Sequence, residues 1–199
     1  MVTAVAAALA LTVSGCVPAV TDTPPARDAA AVQVTPPPVA ADLSGSWTTG
    51  YPRLADLTRA ADVVVVGTVL PGARTSVVEG LPFLDTRIAV TRWVAGRAGV
   101  TGTLTIRQTG GVVDGRAVTV EDDPLLRAGE RAVFFLDQAV DGRRAILSGP
   151  TGRLIVDDDE RVRTLPGTSL TEPLPPTLTA VIAAIRASPS SSRTTPARR

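Results

Sequence analysis

ADVVVVGTVL, residues 61–70, decides how this chain folds. Val63 to Val66 are four consecutive β-branched residues. Branching at Cβ stiffens χ1 and suits a pleated surface better than a helical turn. A short apolar run without alternation predicts a strand covered on both faces. Gly67 inside the run marks a bulge or a tight bend. Pro71-Gly72 then closes it with a turn.

Working outward, the pattern stays β. Residues 73 to about 82 read as a loop. FLDTRIAVTRWVAG, residues 83–96, alternates: Thr86, Ile88, Val90 and Arg92 on one side, Arg87, Ala89, Thr91 and Trp93 on the other. That predicts one long strand. TGTLTIRQTGG, residues 101–111, predicts a third strand with Leu104 and Ile106 inward, broken by Gly110-Gly111. GRAVTVEDDP closes a hairpin with it. Arg131 to Leu136 reads as a strong strand with Val133, Phe134 and Phe135 in the core. RRAILSG, GRLIVDD and RVRTLP read as three further short strands separated by Gly and Asp turns.

Helical spacing flanks this β region. Leu54, Leu57 and Ala61 predict a short amphipathic helix. Leu178, Val181, Ile182 and Ile185 predict a second one, begun by Pro-Thr and packed on the sheet. The domain is therefore expected over 47–187. It reads as mainly β, a small antiparallel barrel of about five to seven strands with a short N-terminal and a C-terminal helix.

Composition removes several chemistries. All 20 basic residues are Arg, against 19 acidic ones, so no basic field favours nucleic acid. There is no His, which excludes a Ser-His-Asp or Cys-His site. The single Cys forms no internal disulfide and no thiolate zinc centre. No cofactor and no metal are expected.

The ends differ from the middle. Val2 to Val13, VTAVAAALALTV, has the length of a secretory apolar core and is shorter than the roughly 20 residues a spanning helix needs. Small residues and the only cysteine follow, as Val13-Ser14-Gly15-Cys16. This four-residue pattern resembles the lipobox of bacterial lipoproteins. The resemblance implies a signal peptide over 1–15, cleavage between Gly15 and Cys16, and diacylglycerol on the Cys16 thiol. It also implies anchorage at the extracytoplasmic face of the cell membrane. Two acyl chains hold a protein stably where one does not. Residues 16–46 are rich in Pro, Ala and Thr and read as an extended tether. Residues 188–199, SPSSSRTTPARR, read as a disordered tail.

Four strings carry a second resemblance: ADVVVVGTVL, TRIAVTRWVAG, TLTIRQTGG and DDPLLRAGERAVFFLD. Together they resemble an uncharacterised domain of secreted bacterial proteins and lipoproteins. The resemblance implies an OB-like or netrin-like barrel over about residues 54–165; such domains are usually without an assigned activity.

Candidate chemistry is sparse. EDDP (121–124) and DDDE (157–160) could offer oxygen ligands to Ca²⁺, but DDDE lacks calcium-loop spacing, and the acidic clusters read as solvated turns. Asp62, Asp85, Glu130 and Asp137 are the carboxylates that a two-carboxylate hydrolase would draw on. QTGGVVDG lacks the Lys and helix of a phosphate loop and reads as a hairpin. The candidate binding face is Arg92, Trp93, Arg107 and Gln108, with Trp93 alternatively packed under the terminal helix. The expectation is a non-enzymatic, lipid-anchored envelope protein that binds or scaffolds an envelope protein or a wall polymer. Its rivals are a carboxylate- or Ca²⁺-dependent hydrolase and an inhibitor of an extracellular protease.

Overall fold

The computed structural model describes residues 39–43, 47, 49–96, 102–137 and 140–188. The expected signal peptide, Gly15, Cys16, most of the tether and the tail from residue 189 onward lie outside these residues. Fourteen buried residues between Val63 and Leu136 belong to two cores, one on each face of a central sheet.

Strand β2 (Val63–Val69) sits between β4 (Leu81–Gly96) and β8 (Arg131–Leu136), antiparallel to both. Both of its faces are covered, which is why it reads as an unbroken apolar run. Val64 and Val66 pack with Val133, Phe135 and Leu154 on one face. Val63, Val65 and Val69 pack with Ile88, Ile106, Phe134 and Leu136 on the other. Helices α1 (Leu54–Ala60) and α2 (Leu178–Ala187) cover the first face. They bury Leu54, Leu57, Leu178, Val181, Ile182 and Ile185, the residues that helical spacing selects. Thr177 caps α2 by accepting a hydrogen bond from the Ala180 amide. Arg53 offers α1 no side-chain cap; Glu172 Oε1 accepts from the Leu54 amide instead, at 2.6 Å.

The main sheet has eight strands. Besides β2, β4 and β8 it contains β3 (Arg74–Val78), β5 (Gly102–Thr109), β9 (Arg143–Arg144), β10 (Arg153–Val156) and β11 (Val162–Arg163). The order is β11-β10-β8-β2-β4-β5-β9, with β3 also paired to β4. The sheet is mixed rather than antiparallel, because β9 runs parallel to β5. Its ladder path is not closed into a barrel. Past β9 the chain meets β8 again through a single bridge, Leu136–Ile146, flanked by Asp137 N–H to Ala145 O and Leu147 N–H to Phe135 O.

Two strands lie where sequence periodicity predicts none. β3 occupies the expected loop and forms a hairpin with β4; Glu79 and Gly80 turn it with φ of 52° and 82°. Positive φ at both positions matches the twist of a two-residue hairpin. β1 (Val39–Leu43) falls inside the expected tether and runs parallel to β7 (Arg116–Val120). With β6 (Gly111–Val113) these form a second, three-stranded sheet.

Strand β4 changes faces along its length. Its register against β2 slips between Val66 and Gly67 and again between Val64 and Val65. Thr91 and Val94 are the extra residues, and the Thr91 hydroxyl donates to Val66 O at 3.1 Å. Ile88 and Val90 therefore belong to the core away from the helices, while Val94 and Ala95 join the helix-covered core. Arg92 pairs with Val66 and shares its helix-side face. Trp93 pairs with Val65 on the opposite face, so it does not pack under α2.

Candidate functional site

A cleft of about 330 Å³, lined by charged and apolar side chains alike, opens at the β5–β9 edge. Phe83 of β4, Arg107 and Thr109 of β5, and Asp137, Val140, Asp141, Arg143, Arg144 and Ala145 line it. Asp85 and Arg107 are direct cross-strand partners, so β4 and β5 place the carboxylate against the guanidinium. Arg107 Nε and Nη2 donate to the two oxygens of Asp85, both at 2.7 Å. Arg143 aligns with Thr105 across the parallel ladder and so shares the face of Arg107. Its Nε donates to Asp85 Oδ2 at 2.8 Å.

One carboxylate thus holds two guanidiniums. The Arg107 hydrogen bonds are the main reason that Asp85 is held below the usual carboxylate range, with burial opposing. Arg107 is raised in turn by Asp85. The Arg107 guanidinium also lies 5.5 Å from the Phe83 ring centre, a cation–π distance. Two neighbours therefore fix its plane. Arg144 lines the same cleft; its Nη1 donates to Asp62 Oδ2 at 2.7 Å and to Asp137 O at 2.9 Å.

The structure separates the four residues of the candidate face. Arg107 and Gln108 point to opposite sides of β5, as neighbours on a strand must. Arg107 lines the cleft, whereas Gln108 is buried. The Gln108 Oε1 accepts from the Leu126 amide at 3.1 Å, and its Nε2 donates to Pro124 O at 3.1 Å. The side chain pins the segment before β8 to the sheet. Arg92 and Trp93 lie near the far end of β4 and do not line the cleft.

Beside Gln108 lies a second charged group. Arg153 is 0% exposed. Its Nη2 donates to Pro124 O at 2.7 Å and lies 3.5 Å from Asp123 Oδ1; its Nη1 is 3.5 Å from Glu130 Oε1. Burial pushes both the Asp123 and the Glu130 carboxyls up, with Arg153 opposing. EDDP is therefore not a solvated turn throughout: Asp123 is a core residue. DDDE is a turn, in which Asp157 Oδ1 accepts from the amides of Asp159 and Arg161. Among the described residues no three His, Cys, Asp or Glu side chains form a metal-binding group, and no helix is long and apolar enough to cross a membrane.

Sequence reading named Asp62, Asp85, Asp137 and Arg107 but did not join them. It missed Arg143 and Arg144, which it treated only as the start of a strand. Their one signal is position: an Arg pair directly after Asp141-Gly142, a turn that aims it back at the sheet. Compared with known proteins, the chain matches no family model and no curated protein sequence.

Proposed function

We propose that this chain is a lipid-anchored envelope protein whose folded domain binds a partner without catalysing a reaction. The carrying observation is the cleft in which Asp85 aligns Arg107 and Arg143. Asp85 and Asp62, the carboxylates that hold its arginines, are engaged as ion pairs, which favours recognition over proton transfer. The lipobox resemblance at Val13-Ser14-Gly15-Cys16 supplies the anchor and the extracytoplasmic face of the cell membrane. The partner fits an envelope protein or a wall polymer better than nucleic acid, given the nearly balanced charge.

The fold reading that accompanies this is OB-like. What supports it is the order β8-β2-β4-β5-β9 within the open sheet, together with the isolated Leu136–Ile146 bridge that brings the chain just past β9 back to β8. Ligands of such barrels sit on the second and third strands and on the loop between the fourth and fifth. The cleft lies on β4, β5 and the β8–β9 segment, the corresponding positions.

The test is membrane fractionation with intact-mass analysis of wild type and Cys16→Ala, expressed with the native upstream sequence. The expected result is a membrane-bound wild type carrying a diacyl mass on Cys16, and an unmodified mutant. Wild type that is unmodified and cytosolic would overturn the anchor.

A further inference from the structure

We infer that the cleft between β5 and the β8–β9 segment is an oxyanion site, in which Arg107 and Arg143 grip a carboxylate or a phosphate group. The inference deepens the binding reading above and rests on it. Asp85 takes Arg107 Nε and Nη2 and Arg143 Nε. Arg107 Nη1 and Arg143 Nη2 stand outside these contacts, on two residues that line the cleft. Two cations share one carboxylate, so this contact group carries a surplus positive charge. Arg144 adds none, because Asp62 matches it directly.

The donors are also pre-aligned. A guanidinium presents a rigid fork that fits the two oxygens of a carboxylate or phosphate. Arg107 is fixed between Asp85 and the Phe83 ring, and Arg143 by Asp85 and the Asp141 carbonyl. Little side-chain freedom remains to be lost on binding. Two acidic residues of the same cleft act against an anion, Asp137 and Asp141, and the charge of the exposed Asp141 reaches Arg107. This opposition gives the proposal a sign: neutralising Asp141 strengthens the site, and removing Arg143 weakens it.

The experiment titrates the ¹⁵N-labelled full chain with inorganic phosphate and, separately, with acetate, at ionic strength held constant with sodium chloride. It follows the guanidinium Nε–H signals. Saturable shifts are expected at Arg107 and Arg143 and none at Arg92; which anion saturates first separates a phosphate ligand from a carboxylate one. Arg143→Gln should weaken binding by about tenfold or more, the worth of a charge-assisted hydrogen bond. Asp141→Asn should tighten it. Absence of saturation by either anion, or equal weakening in Arg143→Gln and Arg92→Gln, overturns the assignment. A photo-crosslinker at Val140, which is 70% exposed on the cleft, separates the two readings. Capture of an envelope partner there, with no anion binding, sinks the oxyanion site and leaves the binding function standing. Loss of both sinks both.

Discussion

Two arginine centres lie on opposite sides of strand β5, and they behave in opposite ways. On the cleft side Arg107 and Arg143 hold Asp85, and the carboxyl is driven below its ordinary range. On the core side Arg153 faces Asp123 and Glu130, and both carboxyls are driven above it. The residue types are the same. What differs is hydrogen bonding against burial. Asp85 receives three N–H donors at 2.7–2.8 Å and keeps some contact with water. Asp123 and Glu130 meet Arg153 only at 3.5 Å, deep inside, where the lost hydration outweighs the attraction. The first centre has donors to offer a ligand. The second uses its charges to fix the segment 123–130 against the sheet.

The comparison breaks most visibly at Arg153. Arg153→Met should leave two carboxyls buried without a cation and cost about 3–5 kcal/mol of stability, read by chemical denaturation. A loss under 1 kcal/mol would show that the core pairing contributes little. Gln108→Ala comes next. It strands the Leu126 amide and takes away one of the two donors to the Pro124 carbonyl, and should cost about 1–3 kcal/mol.

The pH dependence sharpens the contrast in sign. Glu130 has a raised pKa in the fold, so its contribution is complete below the unfolded value of about 4.3 and fades as pH rises through the raised value. The stability of wild type minus Glu130→Gln should therefore fall with rising pH. Asp85 is depressed, so its contribution is complete above about 3.9 and fades as pH falls through the depressed value. Wild type minus Asp85→Asn should shrink with falling pH. Parallel curves for the two variants would show that burial does not distinguish the centres. The smallest effect belongs to Arg143→Gln, about 1 kcal/mol or less, because the pair is partly exposed. Its consequence should appear in anion binding rather than in the unfolding curve.

Much of the frame was legible in order along the chain. The Val63–Val66 run, the Arg131–Leu136 strand and α2 each carry a local pattern, apolar on both faces in the two strands and on one face in the helix. Gly67 signalled a bulge, and the register slips beside it. Strands β1 and β3 escaped because their pairing is decided elsewhere. VAADL lies parallel to a strand more than seventy residues away, and RTSVV becomes a strand only when β4 extends beneath it. Sequence alternation carried Arg92 past Ile88 on one face; the bulge at Thr91 moved it to the other.

The sequence by itself determined that the chain is mainly β, that its terminal helices are amphipathic, and that its 199 residues supply no histidine and no internal disulfide, since period and composition are local properties. Only the tertiary structure decided that the sheet is mixed, that Gln108 is a core bridge, and that Asp62, Asp85, Arg107, Arg143 and Arg144 meet around one cleft. Those outcomes depend on pairings between residues far apart in the chain. An arginine's role is set by how many carboxylates the fold brings to it and how much water remains there.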